Sequence, residues 1–321
     1  MEINKKELLL QMERIRKVEE TIADRYAEQE MRCPTHLSIG QELVGAVAGM
    51  TMRSSDYAVS THRGHAHYLG KGGDMKAMIA EIYGKVDGCA RGRGGSMHLA
   101  DQKVGFMGTT AIVGNSIPIG VGLGLSIKMS GDDRVSAIFL GDGCVEEGVF
   151  YEAANFSEVQ QLPVVFICEN NLYSVYSALK VRQPQGRVIN KMVQGLGLKT
   201  FAEDGENVEK TYECISEAIS HARDGNGPVF VEISAYRWRE HCGPNYDNDL
   251  AYRSQEEFLD WKSRDPLDNY RKLLLETGQV TQEELSIMDD AVCREVDAAF
   301  EFALSSPFPD NTEAYVDEYA P

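Results

Sequence analysis

Two polar clusters, with Asp142 and Asn171 standing 29 positions apart, constrain this chain more than any other feature of it. The run VSAIFL (135–140) is rich in β-branched and aromatic residues, has the length of a buried strand, and leads directly into Gly141-Asp142-Gly143. The run VVFIC (164–168) has the same character and leads directly into Glu169-Asn170-Asn171. Between them, residues 147–161 carry apolar side chains at helical spacing. Strand, helix and strand in that order make a βαβ unit, whose two strands run parallel. Both clusters therefore fall at the carboxyl ends of neighbouring strands, where open α/β sheets bind ligands. An Asp carboxylate and an Asn amide oxygen are hard donors, suited to a Mg²⁺ ion that keeps its other positions for phosphate and water. The flanking glycines let backbone come close to a diphosphate.

The rest of the chain extends this unit. VFVEI (229–233) reads as a third buried strand and residues 208–223 as the helix before it. The series predicts an α/β fold with one large domain: a parallel sheet, right-handed crossovers and flanking helices. That domain is expected over residues 1–270, with 271–321 as a helical extension closed by Pro307 and Pro309. Near the start, Leu8, Met12, Ile15, Val18, Ile22 and Tyr26 recur at helical spacing with charges between them, predicting one long surface helix with a structural role. Residues 40–124, with His36 just before them, hold five of the seven histidines and are dense in glycine. Such density signals tight turns and close backbone approaches of the kind that ligand loops need.

At 321 residues the chain can bury a sizeable core without cross-links. A formal charge of −18 repels nucleic acid and anionic membranes, so a phosphate ligand has to be held by a local arrangement. The seven cysteines are odd in number, scattered and never spaced as a CxxC pair, which fits a reducing cytoplasm better than a disulfide framework or a zinc site. Residues 1–6 lead into a charged amphipathic stretch, so no secretory signal is expected. No apolar run approaches the roughly 20 residues of a membrane-spanning helix.

Residues 141–173, GDGCVEEGVFYEAANFSEVQQLPVVFICENNLY, resemble in almost every turn the α subunits of the E1 dehydrogenases for pyruvate, branched-chain 2-oxoacids and acetoin. The likeness runs over about residues 5–270. It implies a thiamine-diphosphate-binding fold, with Mg²⁺ held by Asp142, Asn171 and the backbone of Tyr173, and with Gly143 and Cys144 beside the cofactor. HLSIGQE (36–42) resembles the family's H-x-x-x-G-Q-E helix start and reads equally as a capped helix N-terminus. STHRGH (60–65) resembles the S-x-Y/H-R-x-H segment that contacts the diphosphate, which assigns His62 and Arg63 to it. A planar guanidinium pairs bidentately with phosphate, and His before Arg is the form found in acetoin-type members. GRGGSMH (92–98) and AIVG (111–114) resemble the family's G-R-G-G-S-M-H and G-I-V-G elements. The second meets the aminopyrimidine ring through its backbone, so Val113 is the expected contact, although Ala111 stands where the family has glycine. His98 is open to a ligand contact or a structural role.

After the third strand, Tyr236-Arg237-Trp238-Arg239-Glu240-His241 matches the family's Y-R-x-x-x-H loop, whose last histidine faces the reactive carbon of the cofactor. His241 is therefore the expected acid–base residue, and an ordinary imidazole exchanges protons near neutral pH. Pyruvate and branched-chain members follow this histidine with Ser and an S-D-x segment, where this chain has Cys242-Gly243-Pro244-Asn245-Tyr246-Asp247. The regulatory serine of some relatives is absent, so control by phosphorylation there is not expected. Cys242 reads as a passive small residue, and any change in the substrate pocket is expected within residues 237–245. The carboxylate that protonates the aminopyrimidine has to come from a separate β subunit, in an α₂β₂ heterotetramer. The resemblance implies cleavage of a small 2-oxoacid or acetoin with acyl transfer to a lipoyl E2. A carboligase or transketolase-like enzyme is the alternative. A nicotinamide-dependent oxidoreductase lacks a GxGxxG opening a helix after the first strand, and a non-catalytic partner would be expected to have lost the metal ligands or His241.

Overall fold

The computed structural model describes residues 3–315; Met1, Glu2 and residues 316–321, the last of them part of the expected extension, lie outside the described residues. The chain runs α1 (Lys5–Arg25), α2 (Glu42–Thr51), β1 (Tyr57–Ser60), α3 (His65–Gly70), α4 (Met75–Ile82), β2 (Phe106–Thr109) and α5 (Ser116–Ser130). It continues β3 (Ser136–Gly141), α6 (Gly148–Val159), β4 (Val164–Asn170), β5 (Tyr173–Ser174), β6 (Ser177–Ala178), α7 (Leu179–Arg182), α8 (Ile189–Gln194) and β7 (Lys199–Glu203). Last come α9 (Val208–Arg223), β8 (Val229–Ser234), α10 (Gln255–Ser263), α11 (Pro266–Glu276) and α12 (Gln282–Ser305).

Six strands form one parallel sheet in the order β2-β1-β3-β4-β8-β7, and β5 and β6 pair as a small antiparallel hairpin. The α/β fold expected from the sequence is the one observed. β3, β4 and β8 are the three strands expected, each shifted or lengthened by no more than two residues. Successive side chains on a strand point to opposite faces, and here both faces are covered. Val165 and Ile167 of β4 join a core with α1, α2, α9 and α12, while Val164, Phe166 and Cys168 join a second core with α5, α6 and α8.

Two expectations are corrected by the packing. The first helix does not lie on the surface: Leu8, Leu9, Met12, Ile15, Val18 and Ile22 are all 0–1% exposed, because α1 is packed among α2, α3, α11 and α12. Nor does a side chain cap the start of α2. Glu42 instead accepts from the Gly40 backbone N–H at 2.8 Å and pairs with buried Arg16 at 2.5 Å, and Arg16 in turn reaches Asp265. The glycines of α2 and α3 serve a core purpose rather than a ligand loop. A Cβ on Gly49 would stand 1.8 Å from the Gly70 carbonyl oxygen, and one on Gly70 would stand 2.0 Å from that of Gly45, so the two helices cross backbone against backbone. Among the described residues no helix is long and apolar enough to cross a membrane.

Candidate active site

The strand order reverses at β1. Its chain successor β2 lies on one side of it and β3 on the other, which opens a crevice at the carboxyl ends of β1 and β3. All nine candidate residues line one cavity there. His62 and Arg63 follow β1; Asp142, Gly143 and Cys144 follow β3; Asn171 and Tyr173 follow β4; Val113 comes from the β2–α5 loop and His241 from the loop after β8.

Asp142 sits at the end of β3 with 1% of its surface exposed. Burial raises the pKa of its carboxyl, and the bond from Arg182 works against that rise. Arg182 holds Asp142 with one nitrogen and Glu146 with another, the latter at 2.5 Å. The Asn171 amide nitrogen donates to the Gln41 side chain at 3.0 Å, and its oxygen accepts from the Tyr173 backbone N–H at 3.2 Å. Between those two residues Leu172 is held at φ 70°, and Val175 at φ 55°. Left-handed backbone is costly for branched side chains and collects where a loop is shaped for a ligand. A Cβ on Gly143 would meet Ser174 Oγ at 2.9 Å, so a side chain there would force Ser174 to turn aside.

Arg63 is buried, and among the described residues no carboxylate forms an ion pair with it. Its guanidinium donates to the carbonyls of Leu37 at 2.5 Å and His241 at 3.0 Å. Burial, helped by the charge of Arg237, pulls its pKa down to about 10. The carboxylates of Glu169 and Glu19 offset that cost only in part, so an anion that arrives from outside would stabilise the buried cation further.

Two backbone bonds fasten the His241 loop to the segment before α2: Trp238 N–H to the Ile39 carbonyl at 2.9 Å and Gly243 N–H to the Thr35 carbonyl at 2.8 Å. They bring His241 against His36 and His62, with ring centres 4.6–5.3 Å apart. Burial first, then the charge of Arg63, lowers the three imidazoles to about 2 for His36, about 4 for His62 and about 3 for His241. At neutral pH all three rings are uncharged. The expectation that His241 titrates near neutrality is corrected to a ring held neutral in this setting, with one N–H to give and one nitrogen to accept.

Other motif residues stand outside the cavity. His65 is buried between Glu19 at 2.9 Å and Ser96 at 2.8 Å, and His67 between Ser60 at 2.7 Å and Glu169 at 3.0 Å, so both are structural. The GRGGSMH run wraps the buried carboxylate of Glu81, which accepts the N–H groups of Ala90, Gly92, Gly94 and Gly95 at 2.6–3.1 Å. His98 is exposed, with its Nδ1 3.2 Å from the Gly94 carbonyl. Arg237 is buried in a network with Asp247, Tyr252 and the Val175 carbonyl. Within residues 237–245, His241 alone reaches the cavity. Gln41, Glu169, Ser174 and Arg182 have places in or beside the site that sequence reasoning did not assign. Gln41 lay inside the HLSIGQE motif and could have been flagged; Arg182 carries no local signal.

Comparison with known proteins gives a match to the family described as dehydrogenase E1 component over residues 10–312. A pyruvate dehydrogenase E1 component subunit alpha from Rickettsia bellii is 36% identical, over 95% of this chain and 92% of the relative. The protein of the same name from Rhizobium meliloti is 32% identical over 94% and 86%. The chloroplastic pyruvate dehydrogenase E1 component subunit alpha-3 of Arabidopsis thaliana is 33% identical over 95% and 72%.

Proposed function

Because this chain belongs to the dehydrogenase E1 component family, as the α subunit of a thiamine-diphosphate-dependent 2-oxoacid dehydrogenase, we propose that it acts on pyruvate or acetoin and passes the acyl product to a lipoyl-bearing E2. The observation that carries the site assignment is Arg63, a buried guanidinium hydrogen-bonded to two carbonyls and ion-paired to no carboxylate among the described residues, sharing one cavity with Asp142 and Asn171. That donor set fits a diphosphate bridged to the protein by a hard divalent ion. Asp142, the Asn171 amide oxygen and the Tyr173 carbonyl would hold Mg²⁺. Arg63 and His62 would take the diphosphate, Gly143 and Cys144 would border it, and Val113 would support the aminopyrimidine. When bound, thiamine diphosphate supplies the carbon nucleophile that attacks the substrate carbonyl.

His241 does the work this chain contributes at the reacting end. Held neutral, it can donate an N–H to a substrate oxygen and accept a proton at its other nitrogen. Pyruvate is supported by the names of the relatives, and acetoin by the His62-Arg63 order.

A β subunit in an α₂β₂ assembly is supported by large apolar side chains left exposed in the loop that reaches the cavity and along α5 and α6. Ile112 is 68% exposed and Met129 79%, with Ile119, Phe156 and Val159 also open on α5 and α6. A Cβ on Gly122 of α5 would meet nothing within 4 Å, so this chain's own packing does not demand a glycine there. The described part of the expected extension, residues 271–315, belongs to the same domain in this reading, supported by the packing of α12 on α1 and α4. The seven free cysteines suit a reducing compartment such as the cytoplasm.

The reading is tested by reconstituting the chain with an E1 β partner and an artificial electron acceptor, and assaying pyruvate, 2-oxobutyrate, 3-methyl-2-oxobutanoate and acetoin. Turnover is expected to be fastest with pyruvate or acetoin and absent from the α chain alone. Ligation of pyruvate to aldehydes with no acceptor reduction on any substrate would replace the dehydrogenase by a carboligase.

A further inference from the structure

Buried His65 hydrogen-bonds both ring nitrogens, to Glu19 and Ser96. His36, His62 and His241 do not. Among the described residues none of them has a ring-nitrogen hydrogen bond to the protein, and His36, only 7% exposed, leaves Nδ1 buried without a partner. They come from three separate segments, before α2, after β1 and after β8, yet one ring nitrogen from each lies within 4.8 Å of the other two.

We infer that His36, His62 and His241 form a three-imidazole site for one transition-metal dication, Zn²⁺ or Co²⁺, separate from the oxygen donors of Asp142 and Asn171. Nitrogen donors select Zn²⁺, Co²⁺, Ni²⁺ or Cu²⁺ over Mg²⁺ and Ca²⁺, which take oxygen. Tetrahedral Zn²⁺ with Zn–N bonds of about 2.0–2.1 Å places its ligands about 3.4 Å apart, so the rings close inward by about 1 Å or more on binding. Three protein ligands leave the fourth position to the cavity. The nearby Arg63 cation disfavours a bare dication, and it makes an anionic fourth ligand, hydroxide or a carboxylate, part of the bound state. An ion held here occupies the lone-pair nitrogen with which His241 would accept a proton and leaves it only the N–H of the other nitrogen. On the functional reading above, the site is therefore inhibitory.

The test is metal binding to the purified full-length chain without Mg²⁺, using Zn²⁺ by calorimetry and Co²⁺ by visible absorption. One ion per chain is expected, with the Co²⁺ bands of a four-coordinate nitrogen site and no thiolate charge-transfer band. His36→Gln and His62→Gln should each weaken Zn²⁺ binding by more than about 100-fold, beyond the 10- to 100-fold that loss of an outer-shell partner costs. His62 is the less buried of the two, which keeps the test available if the His36 variant fails to melt cooperatively. Cys242→Ser and Asp142→Ala should leave the affinity unchanged. Failure to bind one equivalent, retention of affinity in His62→Gln, or loss of it in Cys242→Ser or Asp142→Ala would overturn the site. Activity plays no part in these readouts, so they stand or fall apart from the dehydrogenase reading.

Discussion

Asp142 and Arg63 are buried charges of opposite sign that line one cavity without pairing with each other: the first is held by Arg182, the second by two carbonyls. Each is then available to a ligand that carries both signs, a metal and a diphosphate. Asp142→Ala removes the one carboxylate at the end of β3 and should abolish Mg²⁺-dependent thiamine diphosphate binding in calorimetry; an unchanged affinity would remove the metal assignment. His241→Ala should instead leave cofactor affinity within a few-fold while lowering turnover by on the order of 10² to 10⁴. Full activity in that variant would end the acid–base role. Asp142 and Asn171 were legible in the sequence because a strand, a turn and a 29-residue gap fix them locally. The partners that give Arg63 its meaning were not, since Leu37 and His241 lie 26 and 178 positions away. The same holds for the meeting of His36, His62 and His241, which no local pattern announces.

Strands buried on both faces read as unbroken apolar runs, which is why β3, β4 and β8 could be located from sequence. β1, β2 and β7 were missed because they span only four or five residues each and mix polar or glycine positions into the run; β7, at the sheet edge, has no fully buried residue. The crossing of α2 and α3 was hidden for a different reason: glycine in sequence signals a turn as readily as a contact. Gly49→Ala should cost about 3 kcal/mol or more, at the upper end of overpacking, because the new methyl meets backbone that cannot move aside. Gly122→Ala, a helical glycine facing open space, should raise the stability of the isolated chain by up to about 1 kcal/mol. Denaturant midpoints measure both, and equal effects at the two positions would refute the crossing.

At the scale of the whole molecule, the fold gathers residues from six segments to one end of the sheet, and the neutral histidines gathered there tie global stability to acidity. Each folds with its pKa depressed, to about 2, 4 and 3 for His36, His62 and His241. Between about pH 6.5 and about pH 4 the unfolded chain therefore binds protons at these sites that the folded chain refuses. Stability from this source is fully present above about pH 6.5 and declines as the pH falls through that window. Denaturation at about pH 7.5 and about pH 5 should show the decline, and it should be smaller in His36→Gln. An equal decline in the variant would assign it to carboxylates instead.

On the proposed metal assignment, the grip of Arg182 on Asp142 would make loading of the metal slow. A buried carboxylate cannot be left bare while one cation is exchanged for another, so the Arg182 guanidinium would have to leave Asp142 as a metal enters. Apoprotein mixed with Mg²⁺, cofactor and substrate together should show a lag before steady turnover, and preincubation with metal and cofactor should remove it. Arg182→Gln should shorten the lag; a lag of the same length in that variant would mean that loading waits on some other step. Loading of this kind would make the onset of turnover depend on when the protein last held its metal.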